Sequence, residues 1–199
     1  MSLFLASTSP YRRELLSRLG LPFQSIDPQL DEEPFKKLGL SPRDLTARLA
    51  REKCAAGWNR LDSGAPGSDA DRVVIGSDQV VSADGDILGK PGDRDAACRQ
   101  LARLAGRTHE LVTAFCVQSK TATLVEVDVA RLTMLPLSGE AIARYVDHDR
   151  AWDCAGSYKI EQMGIVLFDR VEAADFTAIQ GLPLMAVAQA LRAVGQVIP

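Results

Sequence analysis

The chain has 199 residues, 46% of them hydrophobic and 25% charged, with a formal net charge of −3. That balance predicts a soluble globular protein, one domain or a bilobed one, with a sizeable core. It argues against wholesale binding to nucleic acid or to a membrane surface, so an anionic substrate needs a local basic cluster. The cysteines Cys54, Cys98, Cys116 and Cys154 lack CxxC spacing, and there are only two histidines, His109 and His148. Free thiols are expected, with neither a zinc site nor a histidine-rich metal site. No signal-peptide pattern and no run of membrane-span length is seen, so the expected location is the cytoplasm.

In chain order, the apolar run Leu3 to Ala6 reads as a buried strand. Ser7, Thr8 and Ser9 form a hydroxyl-rich turn, and Ser9-Pro10 is a helix start: a capping side chain, then the helical position where proline is favoured. Leu15, Leu16 and Leu19 give that helix an apolar face, and Gly20 ends it. Backbone N–H groups and the positive end of the helix dipole make this turn a candidate phosphate site, with Arg12 and Arg13 adding charge. An ordinary capped helix with two solvated arginines is the alternative. Pro22 to Ile26 reads as a second strand. Asp27 to Glu33 reads as an acidic loop, in which Asp31, Glu32 and Glu33 are either solvated or hold a hard divalent cation.

Ser41-Pro42 predicts a second capped helix running to about Trp58, with Lys53 in its last turns. Asp62 to Asp71 reads as a surface loop rich in Gly, Ser, Pro and Asp. Arg72 to Val81 is the strongest buried-strand signal, continuous enough to be covered on both faces. Asp78 interrupts it. Asp78 is either a turn residue between two short strands or a functional carboxylate, since a charge among valines is costly unless paired, protonated or metal-bound.

Asp84-Gly85-Asp86 predicts a tight hairpin turn, and Leu88-Gly-Lys-Pro91 places Lys90 beside a rigid turn. Asp93 to Ala105 reads as a helix stopped by Gly106. Glu110 to Gln118 and Thr123 to Thr133 read as a β-hairpin, with His109 and Thr113 near its start as hydrogen-bonding anchors. Ser138 to Val146 reads as a capped helix, with Ala141, Ile142 and Tyr145 inward. Trp152 to Gly164 reads as a polar loop suited to ligand contacts, Ile165 to Phe168 as a strand, and Leu184 to Val194 as a core helix. The order of elements predicts an α/β fold with strands and helices mixed.

Six segments, in order, resemble the Maf-like nucleotide pyrophosphatases, also called septum-formation inhibitor homologues. They are Ala6-Ser-Thr-Ser-Pro-Tyr-Arg-Arg, Glu52-Lys53, Gly76-Ser-Asp78, Gly89-Lys-Pro91, Ala155-Gly-Ser-Tyr158 and Gly181-Leu-Pro183. The resemblance implies one domain over residues 1–199, with an elongated mixed-sheet fold of the Maf/ITPase kind, two lobes and a central cleft. It implies hydrolysis of a nucleoside triphosphate between the α and β phosphates, a divalent cation (Mg²⁺ or Mn²⁺) and a homodimer. Carried over by position, Ser7, Ser9 and Arg12 match the phosphate-binding signature, and Glu32 its acidic loop residue. Lys53 and Lys90 match the active-site lysines. Asp78 matches the catalytic carboxylate, acting as base, metal ligand or both.

Tyr11, Gln79 and the Lys159-Ile-Glu161 segment resemble the subfamily acting on 7-methyl-GTP rather than the one preferring dTTP and UTP. Methylation at N7 makes guanine cationic, which favours an aromatic face and a carboxylate acceptor. The alternatives left open are a dTTP/UTP or other modified-nucleotide pyrophosphatase and a nucleotide-binding regulator of septum formation.

Overall fold

The computed structural model describes residues 1–62 and 72–198; most of the loop expected over Asp62 to Asp71 lies outside the described residues. Two compact units emerge. The first comprises Met1–Asp78, Thr113–Asp128 and Asp175–Pro199, and the second Gln79–Val112 and Val129–Ala174.

The first unit is a three-layer α/β sandwich. Strand β1 (Ser2–Ala6) pairs in parallel with β2 (Phe23–Ile26) on one side and with the start of β3 (Arg72–Ala83) on the other. Next along the sheet come β5 (Thr108–Gln118) and β6 (Thr123–Met134), the expected hairpin, each contributing part of its length to this unit. Side-chain alternation divides the core cleanly. Leu3, Leu5, Val73, Ile75, Phe115 and Val117 pack on one face with α1 (Pro10–Ser17) and α7 (Leu184–Ala193). Phe4, Ala6, Val74, Ala114 and Cys116 pack on the other with Ala50, Cys54 and Leu61 of α3 (Pro42–Asp62). Both faces of Val73 to Ile75 are therefore covered, as the apolar run requires.

Helix starts follow local chemistry. Ser9 caps α1, its Oγ accepting from the Arg12 N–H at 3.4 Å. At the start of α3, Ser41 Oγ accepts from the Asp44 N–H and donates to the Asp44 carboxylate. Of the two readings of Asp78, the turn between two short strands is excluded: β3 runs unbroken from Arg72 to Ala83. Three expectations need correction. The acidic loop leads into a short helix, α2 (Glu33–Lys36), and α3 reaches Asp62 rather than about Trp58. Ile165 to Leu167 is a 3₁₀ turn (Met163–Leu167), and the strand β7 lies at Phe168–Glu172, where the Asp-Arg-Val-Glu sequence suits a solvated sheet edge paired only to β6.

In the second unit, β4 (Asp86–Leu88) returns antiparallel along the end of β3, closing the expected hairpin. Helix α4 (Arg94–Leu104) is capped by Asp93, and α5 (Gly139–Asp149) by Ser138. Their apolar faces include Leu101, Leu104, Ile142 and Tyr145. Two small pieces complete the described elements: α6 (Phe176–Ile179) in the first unit and a 3₁₀ turn (Ala155–Ser157) in the second.

Candidate functional site

In the first unit the parallel pairing of β1 and β3 ends at Ala6 opposite Gly76. Beyond that point one chain turns into α1 and the other places Ser77 and Asp78 at the carboxyl end of the parallel pair, where open α/β sheets hold ligands. Gly76 sets the approach of α3. A Cβ there would lie 2.3 Å from the Ala50 carbonyl oxygen and 2.6 Å from the Cys54 nitrogen, so only glycine lets the helix backbone pack flush on the strand. Two residues on, Asp78 points to the same side and meets Lys53, the neighbour of Cys54.

The Lys53 ammonium lies 2.6 Å from Asp78 Oδ1 and 2.7 Å from Glu32 Oε1. Lys53 and Asp78 are buried, and Glu32 is half-buried at the N-terminal end of α2. Two carboxylates that would repel one another are thus held together by one cation. Their protonation responses differ. Burial pushes Asp78 above the usual carboxylate range, against the pull of Lys53 and Arg12. Burial also acts to raise Glu32, but Lys53 and Lys36 outweigh it and hold Glu32 below that range.

Arg12 is fixed by its backbone-facing nitrogen: Nε donates to the Gly181 carbonyl at 3.0 Å. The same carbonyl lies 3.0 Å from Ser77 Oγ, whose single proton it shares with the Ala114 carbonyl at 2.9 Å. The Gly181-Leu-Pro183 turn, expected only as a family segment, is therefore the clamp that aims Arg12. Desolvation pulls the guanidinium pKa down, opposed by the charges of Asp78 and Glu32. Ser7 is buried, and its Oγ accepts from the Ser9 N–H at 3.1 Å, bracing the turn before α1. Tyr11 is half-buried on the first turn of α1, and Arg13 is exposed.

The first unit thus brings together Arg12, Glu32, Lys53 and Asp78, with Ser7 and Ser9 bracing the turn that leads to Arg12. Among the described residues no group of three or more His, Cys, Asp and Glu side chains is placed to hold a metal. The pair Glu32 and Asp78, both within hydrogen-bond reach of one ammonium, fits a hard cation that takes one or two carboxylates and completes its shell with water and phosphate oxygens.

Lys90, Gln79 and Glu161 belong to the second unit. Lys90 is exposed on the turn between β4 and α4, where Gly92 N–H donates to the Trp152 carbonyl at 3.0 Å. Gln79 directly follows Asp78 on β3. Glu161 is exposed on the loop after the Ala155–Ser157 turn. That loop is tightly folded: the Lys159 carbonyl accepts from the Gln162 and Gly164 N–H groups, and the Lys159 N–H donates to Tyr145 Oη at 2.9 Å. His109 is an anchor, as expected, with Nε2 2.9 Å from Tyr158 Oη. Thr113 anchors too, donating to the Ala178 carbonyl. Sequence reasoning missed Ser77 as the partner of Gly181 and gave no role to Gln100. A hydroxyl between Gly76 and Asp78 in an apolar strand was the available signal for the first, while Gln100 carried none.

The first unit thus sets an arginine, a lysine and two carboxylates near the carboxyl ends of its parallel strands, where open α/β sheets hold ligands. The Maf-like protein family matches residues 2–194, and the chain belongs to that family. It is 46% identical over 189 residues to the 7-methyl-GTP pyrophosphatase of Bdellovibrio bacteriovorus, covering 95% of each chain. It is 46% identical over 197 residues to that of Xanthomonas oryzae pv. oryzae, covering 99% of this chain and 98% of the relative. Against the Bordetella parapertussis protein of the same name it is 44% identical over 189 residues, covering 95% of this chain and 90% of the relative.

Proposed function

We propose that this chain hydrolyses the α–β phosphoanhydride of 7-methyl-GTP, giving 7-methyl-GMP and diphosphate. The observation that carries the reading is the Glu32–Lys53–Asp78 cluster beside Arg12, with Lys53 and Asp78 buried. The relatives' shared name supports the substrate.

Ser7, Ser9 and Arg12 hold the phosphates. With Nε spent on Gly181, Arg12 offers its terminal nitrogens to them. Lys53 and Lys90 neutralise charge growing on the departing diphosphate. Asp78 accepts the proton of the attacking water, and burial suits it to the task by raising its proton affinity. Glu32 and Asp78 hold a divalent cation, Mg²⁺ or Mn²⁺, which when bound supplies charge neutralisation and a more acidic water. Tyr11, Gln79 and Glu161 choose the base, Tyr11 by stacking on the cationic ring and Glu161 by accepting from the guanine edge. The protein works as a cytoplasmic homodimer.

A diphosphate-release assay across 7-methyl-GTP, GTP, dTTP and UTP, with and without Mg²⁺ or Mn²⁺, tests the reading. The highest kcat/KM is expected on 7-methyl-GTP with metal. Preference for dTTP or UTP would overturn the substrate, and nucleotide binding without diphosphate release under any metal would favour a regulator. Replacing Gln79 by Thr together with Glu161→Ala should shift the kcat/KM ratio away from 7-methyl-GTP, while an unchanged ratio would remove both residues from base choice.

A further inference from the structure

We infer that Gln100 on α4 is a positioning residue that ties the Lys90-bearing turn to the loop carrying Glu161. The inference rests on the pyrophosphatase reading above. Gln100 Nε2 donates to the Gly89 carbonyl at 3.0 Å, and Gln100 Oε1 accepts from Ser157 Oγ at 2.5 Å. A carbonyl can only accept, so the end of the amide facing Gly89 must be the NH₂ group. The hydroxyl of Ser157 is then the donor at the other end. One planar group thereby fixes the residue before Lys90 and the residue four before Glu161.

Both tied segments are otherwise braced. Asp93 Oδ1 accepts from the Ala96 N–H at 2.8 Å, so the turn carrying Lys90 runs straight into the helix that bears Gln100. The Gly92 N–H to Trp152 carbonyl bond is a second tie between the same two segments. Ser157 is fully buried with φ +63°, a left-handed conformation that a non-glycine residue keeps only when its surroundings hold it. Gly156, before it, also has positive φ, and a Cβ there would meet the Tyr158 ring at 2.7 Å. The hydroxyl of Ser157 is thus set rigidly, and Gln100 transmits that rigidity to the turn. The Gln100 amide is engaged with Gly89 and Ser157, so its assigned role is indirect. It acts by holding Lys90 where the leaving diphosphate needs its charge, and misplacement of such a group by about 1 Å costs on the order of 10²-fold.

The test is a double-mutant cycle on the full chain with 7-methyl-GTP. Gln100→Leu is expected to lower kcat about tenfold, with the melting temperature near that of the parent. In a Lys90→Ala background the same change is expected to cost nothing further, because its effect runs through Lys90. Gln100→Glu has the same shape and keeps the acceptor for Ser157, but it sets a carboxylate against the Gly89 carbonyl. It should match Gln100→Leu, which keeps the test open if the leucine variant folds poorly. A loss that multiplies with that of Lys90→Ala, or no loss from Gln100→Leu in the parent background when Lys90→Ala is itself slow, would overturn the inference alone. Full turnover in Lys90→Ala would remove Lys90 from the reaction and the inference with it.

Discussion

At the scale of single residues, one ammonium divides itself between two carboxylates. Lys53 meets Asp78 and Glu32 at nearly equal distances, 2.6 and 2.7 Å. Yet Asp78 remains above the usual carboxylate range and Glu32 below it, because Asp78 is deeply buried and Glu32 has Lys36 as a second cation. A buried carboxylate with raised proton affinity is the better base, and the more ionised one the better fixed charge. Asp78→Asn keeps shape and volume and removes the basic oxygen. It should lower kcat on the order of 10²-fold or more, and a purified variant with near-normal turnover would take the base role from Asp78. The sign of the pH dependence follows from the same pair. Asp78 must be ionised to accept a proton, so kcat/KM rises with pH through its raised pKa. Lys53 lowers that pKa, so removing the ammonium raises it. The residual activity of Lys53→Met should therefore show its acid limb at higher pH than the parent, and an acid limb that stays in place would mean that another group titrates there.

At the scale of elements, the site depends on contacts that hold helices against strands. At Gly76 the backbone of α3 crowds β3, and the atoms a side chain would strike are helix backbone, which cannot turn aside. Gly76→Ala should therefore destabilise the protein by about 3 kcal/mol, the upper part of the overpacking range. It should also separate Lys53 from Asp78, so the folded fraction should be slow. Chemical denaturation with activity per folded molecule checks both, and a neutral substitution would show that α3 can slide without cost. A second joint lies at α7, whose N-cap position is Pro183 and has no capping side chain. Asp175 supplies the cap from ten residues away, its Oδ2 accepting from the Met185 N–H at 2.8 Å and its Oδ1 from the Thr177 N–H at 2.9 Å. Thr177 Oγ1 accepts from the Leu184 N–H. These bonds frame the Gly181 turn that aims Arg12, so Asp175→Ala should cost ~2 kcal/mol, the high end for a lost cap, and raise KM through a looser Arg12. A cost confined to stability, with KM unchanged, would detach the cap from phosphate binding.

At the scale of the whole molecule, what could be read from the sequence was what is local. The Ser9-Pro10 and Ser41-Pro42 helix starts, the continuous apolar run of β3 and the Asp84-Gly85-Asp86 turn each follow from neighbours within a few positions, and all stand in the structure. Asp78 was legible as an odd charge among valines and Lys53 only through the family resemblance, and their ion pair spans 25 positions with no periodicity to announce it. The Gly181 carbonyl with Ser77, the Gln100 amide with Ser157 and the Asp175 cap on α7 were invisible for the same reason, since a hydrogen bond between distant residues leaves no mark on either one's local pattern. His109 shows how such a contact reaches the stability of the molecule. It is 2% exposed, with Nε2 on Tyr158 and Nδ1 buried without a partner. Burial pulls its pKa down to about 4, against about 6.5 for an unperturbed histidine. Between those values the unfolded chain takes up a proton that the folded chain refuses. Stability is therefore full above about pH 6.5, falls as pH drops toward 4 and levels off below, a loss of ~3 kcal/mol for a shift of this size. His109→Gln removes the titration while keeping an amide that can reach Tyr158. Urea unfolding of both proteins from pH 7.5 to pH 4 should give curves that converge as the pH falls, the parent losing ~3 kcal/mol more than the variant. Parallel curves would mean that His109 accepts its proton in the folded state as readily as in water.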